Sequence, residues 1–273
     1  MNDILRYAAI GDSIPRGFLM GVPRHVAPGT CTVPVSRVLR WFDRPGQGYP
    51  AVVAGALREA GREVELDTSL TCSGAGTSAF WRGGPTDHVR RVFGRRVDLA
   101  TVTVGANDLM AHWSAYVPAA LVLRTASTAL PVDPQPVLDR LAPPPAWCDP
   151  VIRRLGTRLR GLLDWVAGRV SGPVLVTTYY PGDDSDVVRA RFVRPVNDAI
   201  RTAAAGLPGV RVVDLERLFH GHGPGAPPGA RYVSTRDGLH PTDAGQRAIA
   251  AAILEAAPEL AGNLAMQGAG EAV

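Results

Sequence analysis

Short apolar segments alternate along this chain with longer segments of helical periodicity. Most of the apolar segments are rich in β-branched residues and are bounded by Gly, Pro or Asp, which is typical of buried strands. The segment at 63–66 instead alternates between charged and apolar residues, like a half-exposed strand. The predicted strands are 6–10, 63–66, 99–104, 173–179 and 210–215. The predicted helices are 50–60, 151–170, 187–205 and 242–257, the last with Thr242 as its N-cap.

Five strands that alternate with helices predict one three-layer α/β domain with a mostly parallel sheet, covering residues 1–273. Two connections, 14–48 and 109–150, are long and rich in Pro and aromatic residues. Connections of that length are unusual in a compact domain unless they are functional. We therefore expect them to shape a substrate pocket.

The composition excludes several classes of protein. The chain has 273 residues, of which 46% are hydrophobic and 20% are charged, so it can bury a full core and is too apolar to be disordered. It holds no run of about 18 apolar residues, so we expect no stable insertion in a membrane. The first residues lack the features of a signal peptide, which predicts a cytoplasmic protein with mostly reduced thiols. Secretion stays open if the natural chain begins further upstream.

The net charge is +4, and all 29 basic residues are arginine. Since arginine suits phosphate recognition, one interpretation is a non-catalytic protein that binds nucleic acid or an acidic partner. The arginines are scattered, often stand beside acidic residues and lack interleaved aromatic residues, which favours a solvated surface. We therefore expect no nucleic-acid partner.

Neither cysteine nor histidine spacing predicts a metal site. The three cysteines, Cys31, Cys72 and Cys148, form no C-x-x-C pair, and His220 and His222 lie in a Gly- and Pro-rich loop with no third ligand nearby. We expect neither a metal nor an organic cofactor.

Chemically useful residues follow the predicted strands. In a parallel α/β sheet, ligands bind beyond the carboxyl ends of the strands, which meet at one edge. The groups expected at this edge are a hydroxyl, small residues that expose backbone donors, a carboxamide, a carboxylate and an imidazole. These groups are the ones that acyl transfer by an activated serine requires. They lie in the segments 11–13, 69–77, 105–108 and 236–241.

Over nearly its whole length, the chain resembles an SGNH hydrolase of the GDSL esterase/lipase superfamily. The matching blocks are Gly11-Asp12-Ser13-Ile14, Ser73-Gly74-Ala75, Gly105-Ala106-Asn107-Asp108 and Asp237-Gly238-Leu239-His240-Pro241. Each block alone is a weak signal, but four blocks in the right order, each after a predicted strand, are specific. Segments 48–51 and 70–75 also resemble secreted actinobacterial lipases. The resemblance implies a flavodoxin-like fold with a five-stranded parallel sheet in the order 2-1-3-4-5.

The resemblance also implies a catalytic triad. Ser13 would be the nucleophile, His240 the base and then the acid, and Asp237 the group that orients the imidazole. The simpler alternatives are an Asx-turn for Asp237 and a hydrogen bond at the start of a helix for His240. Asp12 is expected to order the loop of the nucleophile.

The implied oxyanion hole consists of the backbone N–H groups of Ser13 and Gly74 and the side-chain amide of Asn107. Gly76 is a rival to Gly74. The chain departs from the family at Ser69, where many relatives carry Asn, and at Gly76, where Thr is common. Neither departure removes a catalytic group.

Substrate contacts are expected from the two long connections. Their candidate residues are Phe18, Met110, Trp113, Tyr116 and Trp147. These residues would form an apolar wall for a medium acyl chain or a bulky hydrophobic ester. The alternative for 109–150 is a packed helical excursion that completes the core.

The expected function is hydrolysis of a small carboxylic ester through an acyl-serine intermediate. The same residues would also suit an intracellular thioesterase, an O-deacetylase or an acyltransferase that acts on a natural-product or sugar acyl group. In the secreted relatives the cysteine before the glycine block is usually disulfide-bonded, so a Cys31–Cys72 bridge stays open. The oligomeric state does not follow from the sequence.

Overall fold

Five parallel strands form the central sheet of this computed structural model, which describes residues 4–18, 44, 46–113, 119, 122, 135–182 and 186–260. The strands are β1 (Leu5–Gly11), β2 (Val64–Thr71), β3 (Leu99–Thr103), β4 (Val174–Thr177) and β5 (Val210–Val213). Their order is β2-β1-β3-β4-β5, and every neighbouring pair is parallel. The α/β class and the strand order expected from the sequence are confirmed.

Helices connect the strands and pack on one another. The longer ones form two pairs, α2 with α10 and α6 with α8. In chain order the helices are α1 (Ser13–Arg16), α2 (Tyr49–Glu59), α3 (Asp87–Val92), α4 (Ala106–Met110), α5 (Gln135–Leu141), α6 (Pro145–Ala167), α7 (Asp186–Val188), α8 (Arg194–Ala204), α9 (Leu215–Leu218) and α10 (Asp243–Glu255). A π-helical turn, Arg189–Val193, joins α7 to α8.

Two elements are longer than the sequence pattern predicts. The strand expected at 63–66 continues to Thr71, because β2 stays paired with β1 as far as Gly11 and Thr71, through a register shift between Ala8 and Ile10. Its polar middle residues are tolerated since β2 lies at the edge of the sheet. The helix expected at 151–170 begins at Pro145, a favourable first residue, and carries Pro150 inside it with the loss of one backbone hydrogen bond.

The expected long connections fall partly outside the described residues. Of 109–150, the described part from 135 onward is mostly helical, in α5 and the start of α6. The choice between a pocket wall and a packed excursion for this connection stays a prediction. Of 14–48, the described residues near Ser13 end at 18 and resume at 44. Among the residues described, no helix has both the length and the apolar character needed to cross a bilayer.

One of the cysteines, for which the sequence left a disulfide open, is bonded. Cys72 is disulfide-bonded, whereas Cys148 is free and buried. Cys31 lies outside the described residues, so the proposed pairing is not described further. The bonded cysteine stands directly before the loop that holds Gly74.

Candidate active site

Ser13, His240 and Asp237 lie in one chain of hydrogen bonds beyond the carboxyl ends of the strands. The Ser13 hydroxyl lies 2.8 Å from Nε2 of His240, and Nδ1 of the same ring lies 2.5 Å from Oδ2 of Asp237. A carboxylate only accepts, so the arrangement assigns the ring proton to Nδ1 and leaves Nε2 to accept from the serine. The sequence-predicted triad residues are brought together in the geometry of an activated nucleophile.

Asp237 holds the imidazole with one carboxylate oxygen and shapes its own loop with the other. Its Oδ1 accepts from the backbone N–H groups of Leu239, at 3.0 Å, and His240, at 3.1 Å. The Asx-turn and the triad role are therefore compatible. Burial acts to raise the pKa of Asp237, but the hydrogen bonds that it accepts from the His240 ring and from the two backbone N–H groups outweigh it, so the pKa is lowered and the group is a carboxylate at neutral pH.

Ser13 is placed by the tight end of β1. A Cβ on Gly11 would come within 2.6 Å of the Thr103 carbonyl oxygen, so only glycine lets the chain pass so close to β3. Asp12 then caps α1, since its Oδ1 accepts from the Ile14 N–H at 2.9 Å. Ser13 is thereby fixed in the first turn of a helix.

The base is placed by the start of α10. The Thr242 hydroxyl accepts from the Gly245 N–H at 3.1 Å, which confirms the predicted N-cap. The Ser234 N–H also donates to the His240 carbonyl at 2.8 Å. The ring of Phe18 lies 4.6 Å from the imidazole, centroid to centroid. Backbone and ring contacts thus both restrict the imidazole.

The residues expected to form the oxyanion hole line the same pocket as the triad serine. Gly74 has a φ of 84°, a conformation that side chains disfavour. Among the described residues, the N–H groups of Ser13 and Gly74 have no backbone acceptor outside regular helices and strands. The Asn107 amide donates to the Ala75 carbonyl at 3.2 Å, which anchors it beside the glycine loop.

Gly76, the rival of Gly74, faces Asp108 instead of the pocket. A Cβ on Gly76 would lie 2.9 Å from Oδ2 of Asp108. The Asp108 carboxylate accepts from the backbone N–H of Thr77 at 2.6 Å and from its hydroxyl at 2.5 Å. Burial raises the pKa of Asp108 despite these bonds. This carboxylate ties the glycine loop to α4, next to Asn107.

A mostly apolar pocket of about 200 Å³ opens at Ser13. The described residues that line it are Asp12, Ser13, Ile14, Phe18, Ser73, Gly74, Ala106, Asn107, Met110, Tyr179, Tyr180, Phe192, Leu239 and His240. Phe18 and Met110 were expected there from the sequence. The pocket can therefore receive an apolar group beside the serine hydroxyl.

Two of the other substrate candidates, Trp113 and Trp147, are not among the described residues that line this pocket, and one is not described. Trp113 is only 2% exposed and packs edge-on against Phe192, at 5.3 Å between ring centroids, so it supports the pocket wall from the core. Trp147 is 67% exposed, because it lies one position off the buried stripe of α6, which begins at Cys148. Tyr116 lies outside the described residues.

Sequence reasoning missed several residues of the site. Tyr179 and Tyr180 come after β4, at the same edge as the triad, but the predicted strand extended to 179 and absorbed the first of them. Their position just past a strand is the signal that could have found them. Phe192 reaches the pocket from the π-helical turn, a feature often found at functional sites. That turn has no clear sequence signal.

Gln246 is a further missed residue, with 1% exposure in the first half of α10. Its Nε2 donates to the Ile14 carbonyl at 2.9 Å, and its Oε1 accepts from the Tyr49 N–H at 2.7 Å. The amide therefore ties the helix after His240 to the turn that carries Ser13. Amphipathic patterning places such a residue on the buried face but does not reveal its partners.

No group of three or more His, Cys, Asp or Glu in the described part of the chain is arranged to hold a metal ion. His222, which the sequence analysis singled out, instead stacks on Tyr232 at 4.0 Å between ring centroids. Its Nδ1 lies 2.6 Å from the Ala230 carbonyl oxygen. This histidine supports a loop.

A serine activated by an imidazole and a carboxylate, at the edge of a parallel sheet, defines the class of serine hydrolases. Residues 9–248 match the profile of the GDSL-like Lipase/Acylhydrolase family, and the chain belongs to that family. The protein is thus a serine ester hydrolase that acts on small ester substrates. The resemblance found in the sequence blocks is confirmed for the family.

Solved structures with this fold include the lipase Lip_vut3 from a goat rumen metagenome, at 19% identity and a TM-score of 0.57, with 92% of this chain and 97% of that chain covered. An alpha/beta hydrolase enzyme from the metagenome of Lake Arreo, Spain, is similar at 22% identity and a TM-score of 0.55, over 95% of this chain and 98% of that chain. Axe2, an acetylxylan esterase from Geobacillus stearothermophilus, is similar at 17% identity and a TM-score of 0.56, over 96% and 95%. No curated protein matches the chain. The closer resemblance to actinobacterial lipases stays a prediction.

Proposed function

We propose that Ser13, His240 and Asp237 carry out the hydrolysis and that the preferred substrates are esters of medium, apolar acyl groups. The observation that carries the roles is the hydrogen-bond chain from the Ser13 hydroxyl through the imidazole to Asp237. The observation that carries the substrate class is the apolar pocket beside that hydroxyl.

The first half of the reaction forms an acyl-enzyme. Oγ of Ser13 attacks the acyl carbon while its proton passes to Nε2 of His240. The carbonyl oxygen, now negatively charged, is held by the N–H groups of Ser13 and Gly74 and by the Asn107 amide. The bond from the acyl carbon to the alkoxy oxygen then breaks, and the imidazolium returns its proton to the leaving alcohol.

The second half repeats these steps with water. The water oxygen attacks the acyl carbon while His240 takes a proton from the water. The tetrahedral intermediate then collapses: the bond from the acyl carbon to Oγ of Ser13 breaks, the imidazolium returns its proton to Oγ, and the acid is released. Throughout, Asp237 keeps the proton on Nδ1 and stabilises the positive charge on the ring. An ionised Asp237 suits this role, and the lowered pKa of its carboxyl group keeps it ionised at neutral pH.

The pocket argues for acyl groups larger than acetyl. Its volume of about 200 Å³ is several times the roughly 30 Å³ that one water molecule occupies, and an acetyl group would leave much of it unfilled. Phe18, Met110 and Phe192 offer apolar surface and no hydrogen bonds, so a sugar ring gains little there. Deacetylation of a sugar, the activity in the name of Axe2, is therefore the weaker candidate.

The ion pairs on the arginine-rich surface support the interpretation that the enzyme has no nucleic-acid partner. Several arginines form ion pairs with acidic residues. Arg95 contacts both Glu65 and Asp67, at 3.0 and 2.7 Å, and Arg211 contacts Glu259 at 2.9 Å. Such pairs cancel the positive potential that would attract a phosphate backbone.

The cytoplasmic location expected from the sequence stays a prediction. The disulfide at Cys72 favours an oxidising compartment instead, because disulfides persist there and are rare in the cytosol. Cell fractionation of the native host, probed with an antibody to the protein, decides between the two.

The substrate class is tested with p-nitrophenyl esters from acetyl to palmitoyl, hydrolysed by the wild type and by Ser13→Ala. The proposal expects kcat/KM to peak at a medium chain for the wild type and turnover to be lost in the variant. A peak at acetyl, with no activity on longer chains, would overturn the substrate class but leave the serine mechanism intact.

A further inference from the structure

Asp12 is a second carboxyl group behind the nucleophile, and the proposed hydrolytic steps do not use it. Its side chain lines the pocket although the residue is only 1% exposed. One oxygen, Oδ1, caps the helix of Ser13 by accepting from the Ile14 N–H. The other oxygen, Oδ2, accepts from the Tyr179 hydroxyl at 2.5 Å. Both oxygens are therefore held, one on each side of the carboxyl group.

Tyr179 is itself held rigidly. The Asn197 side chain accepts from its backbone N–H at 2.7 Å and donates to its carbonyl at 2.9 Å. The same Asn197 amide donates to Glu216 at 2.9 Å, and the tyrosine is only 5% exposed. A residue fixed at its backbone by a buried amide can hold its hydroxyl in one place. The fold therefore fixes the Tyr179 hydroxyl in the position from which it donates to Asp12.

We propose that Tyr179 is a positioning residue for ester hydrolysis: its hydroxyl holds Asp12 ionised and in place, so that Asp12 fixes the turn of Ser13 and adds a negative charge beside His240. This inference rests on the proposed roles of Ser13 and His240. Asp12 is then a second carboxylate, besides Asp237. It stabilises the positive charge that the imidazole gains during each half-reaction.

The groups around Asp12 decide how its charge responds to pH. In the described part of the chain, the titratable groups that interact electrostatically with Asp12 include Tyr49 from α2, Tyr179 and Tyr180 after β4, and His240 before α10. Burial raises the pKa of Asp12 to about 6, whereas the hydrogen bond from the Tyr179 hydroxyl lowers it. The three tyrosines stay neutral, because burial raises the pKa of each above its ordinary value.

The direction of the effect is set by these contacts. Without the Tyr179 hydroxyl, the Asp12 carboxylate loses the bond that favours its charged form, so its pKa rises further. An activity that needs the charged form then begins at a higher pH. Loss of one hydrogen bond to a charged group corresponds to a shift of about one pH unit in the acidic limb of kcat/KM. A purely structural defect lowers kcat/KM by the same factor at every pH.

The experiment compares pH profiles of kcat/KM for the wild type, Tyr179→Phe, Asp12→Asn and the double variant, on one p-nitrophenyl ester. Tyr7→Phe is the matched control, since the Tyr7 hydroxyl is equally buried but bonds to Thr101 within the sheet. We expect Tyr179→Phe to lose about fivefold at pH 6 and about tenfold at pH 5, and to recover towards the wild-type rate at higher pH. Tyr7→Phe should keep the wild-type profile.

The double variant tests whether the tyrosine acts through Asp12. Asp12→Asn should lower kcat with little change in KM, and adding Tyr179→Phe to it should cause no further shift in the profile. A Tyr179→Phe profile that superimposes on the wild type, or that falls equally at all pH values, would overturn the inference. Full activity of Asp12→Asn would do the same. Ser13→Ala is assayed in parallel, because turnover that survives in it refutes the proposed nucleophile, on which the inference rests. Loss of turnover in Ser13→Ala together with an unshifted Tyr179→Phe profile refutes the role of Tyr179 alone.

Discussion

The Gln246 side chain donates a hydrogen bond to the Ile14 carbonyl oxygen, 2.9 Å away. Ile14 follows Ser13 directly, and Gln246 lies on the helix that begins just after His240. One buried amide therefore links the nucleophile turn and the helix behind the base. This link therefore helps to hold Ser13 and His240 at hydrogen-bonding distance.

Gln246→Leu should weaken both stability and catalysis. It leaves the Tyr49 N–H without its acceptor in the core, which costs about 1–3 kcal/mol of unfolding free energy. It also removes one of the two hydrogen bonds to the Ile14 carbonyl, which keeps the bond from the Gly17 N–H at 3.2 Å. We expect kcat to fall at temperatures where the variant is fully folded. Urea unfolding and kinetics at one temperature measure the two effects.

The matched control for that variant is Arg247→Leu, an exposed neighbour on the same helix. It should change the unfolding free energy by less than about 0.5 kcal/mol. Equal effects of the two substitutions would contradict the linking role of Gln246.

Met110→Ala should move the preferred acyl chain towards longer esters, because it removes side-chain volume from the pocket wall. We expect the ratio of decanoyl to butyryl kcat/KM to rise about tenfold, as befits a change of one or two methylene-sized groups. Trp147→Ala is the control, since that ring is exposed and does not line the pocket. A shift in the Trp147 variant would restore it as a substrate contact.

Asp12 should make the protein less stable as the pH rises. Its pKa is about 6 in the folded state and 3.8 as the ordinary value, so the folded protein binds the extra proton between these limits. The contribution to stability is full below the ordinary pKa and is lost as the pH rises through about 6, by about 3 kcal/mol in all. The unfolding free energy of Asp12→Asn minus that of the wild type should therefore increase from pH 4 to pH 8. A difference that does not change with pH would refute the proposal that Asp12 is a buried carboxyl group with a raised pKa.

Cys72 should resist alkylation in denaturant until the protein is reduced, because it is disulfide-bonded. Cys148 is free, so it should be alkylated as soon as unfolding exposes it. Mass spectrometry of peptides before and after reduction separates the two cysteines. Alkylation of Cys72 without reductant would show that the bond is absent.

The triad was predictable because its members lie in short segments that follow strands. Ser13 comes after β1, and the segment of Asp237 and His240 precedes the last helix, so local sequence indicates where each lies. The strand order followed from the family resemblance. The position of each triad residue thus depends on residues close to it in the chain, whereas the strand order does not.

The contacts between supporting residues were not predictable, because they join residues that are distant in the chain. Tyr179 and Asp12 are far apart in the chain, and only the folded sheet brings the hydroxyl to the carboxylate. The two tryptophans show the same limit on a smaller scale. Trp113 is buried in the core and Trp147 is exposed to solvent. The difference depends on which side of its helical turn each residue occupies, and composition does not reveal that.

The central claim is that Ser13 is the nucleophile and that His240 activates it. The most direct test is the rate of labelling by a fluorophosphonate, with the modified peptide identified by mass spectrometry, in the wild type, Ser13→Ala and His240→Ala. We expect one label, on Ser13 in the wild type, none in Ser13→Ala, and labelling slowed by about 10³-fold or more in His240→Ala. Labelling at another residue, or a wild-type rate in His240→Ala, would contradict the claim.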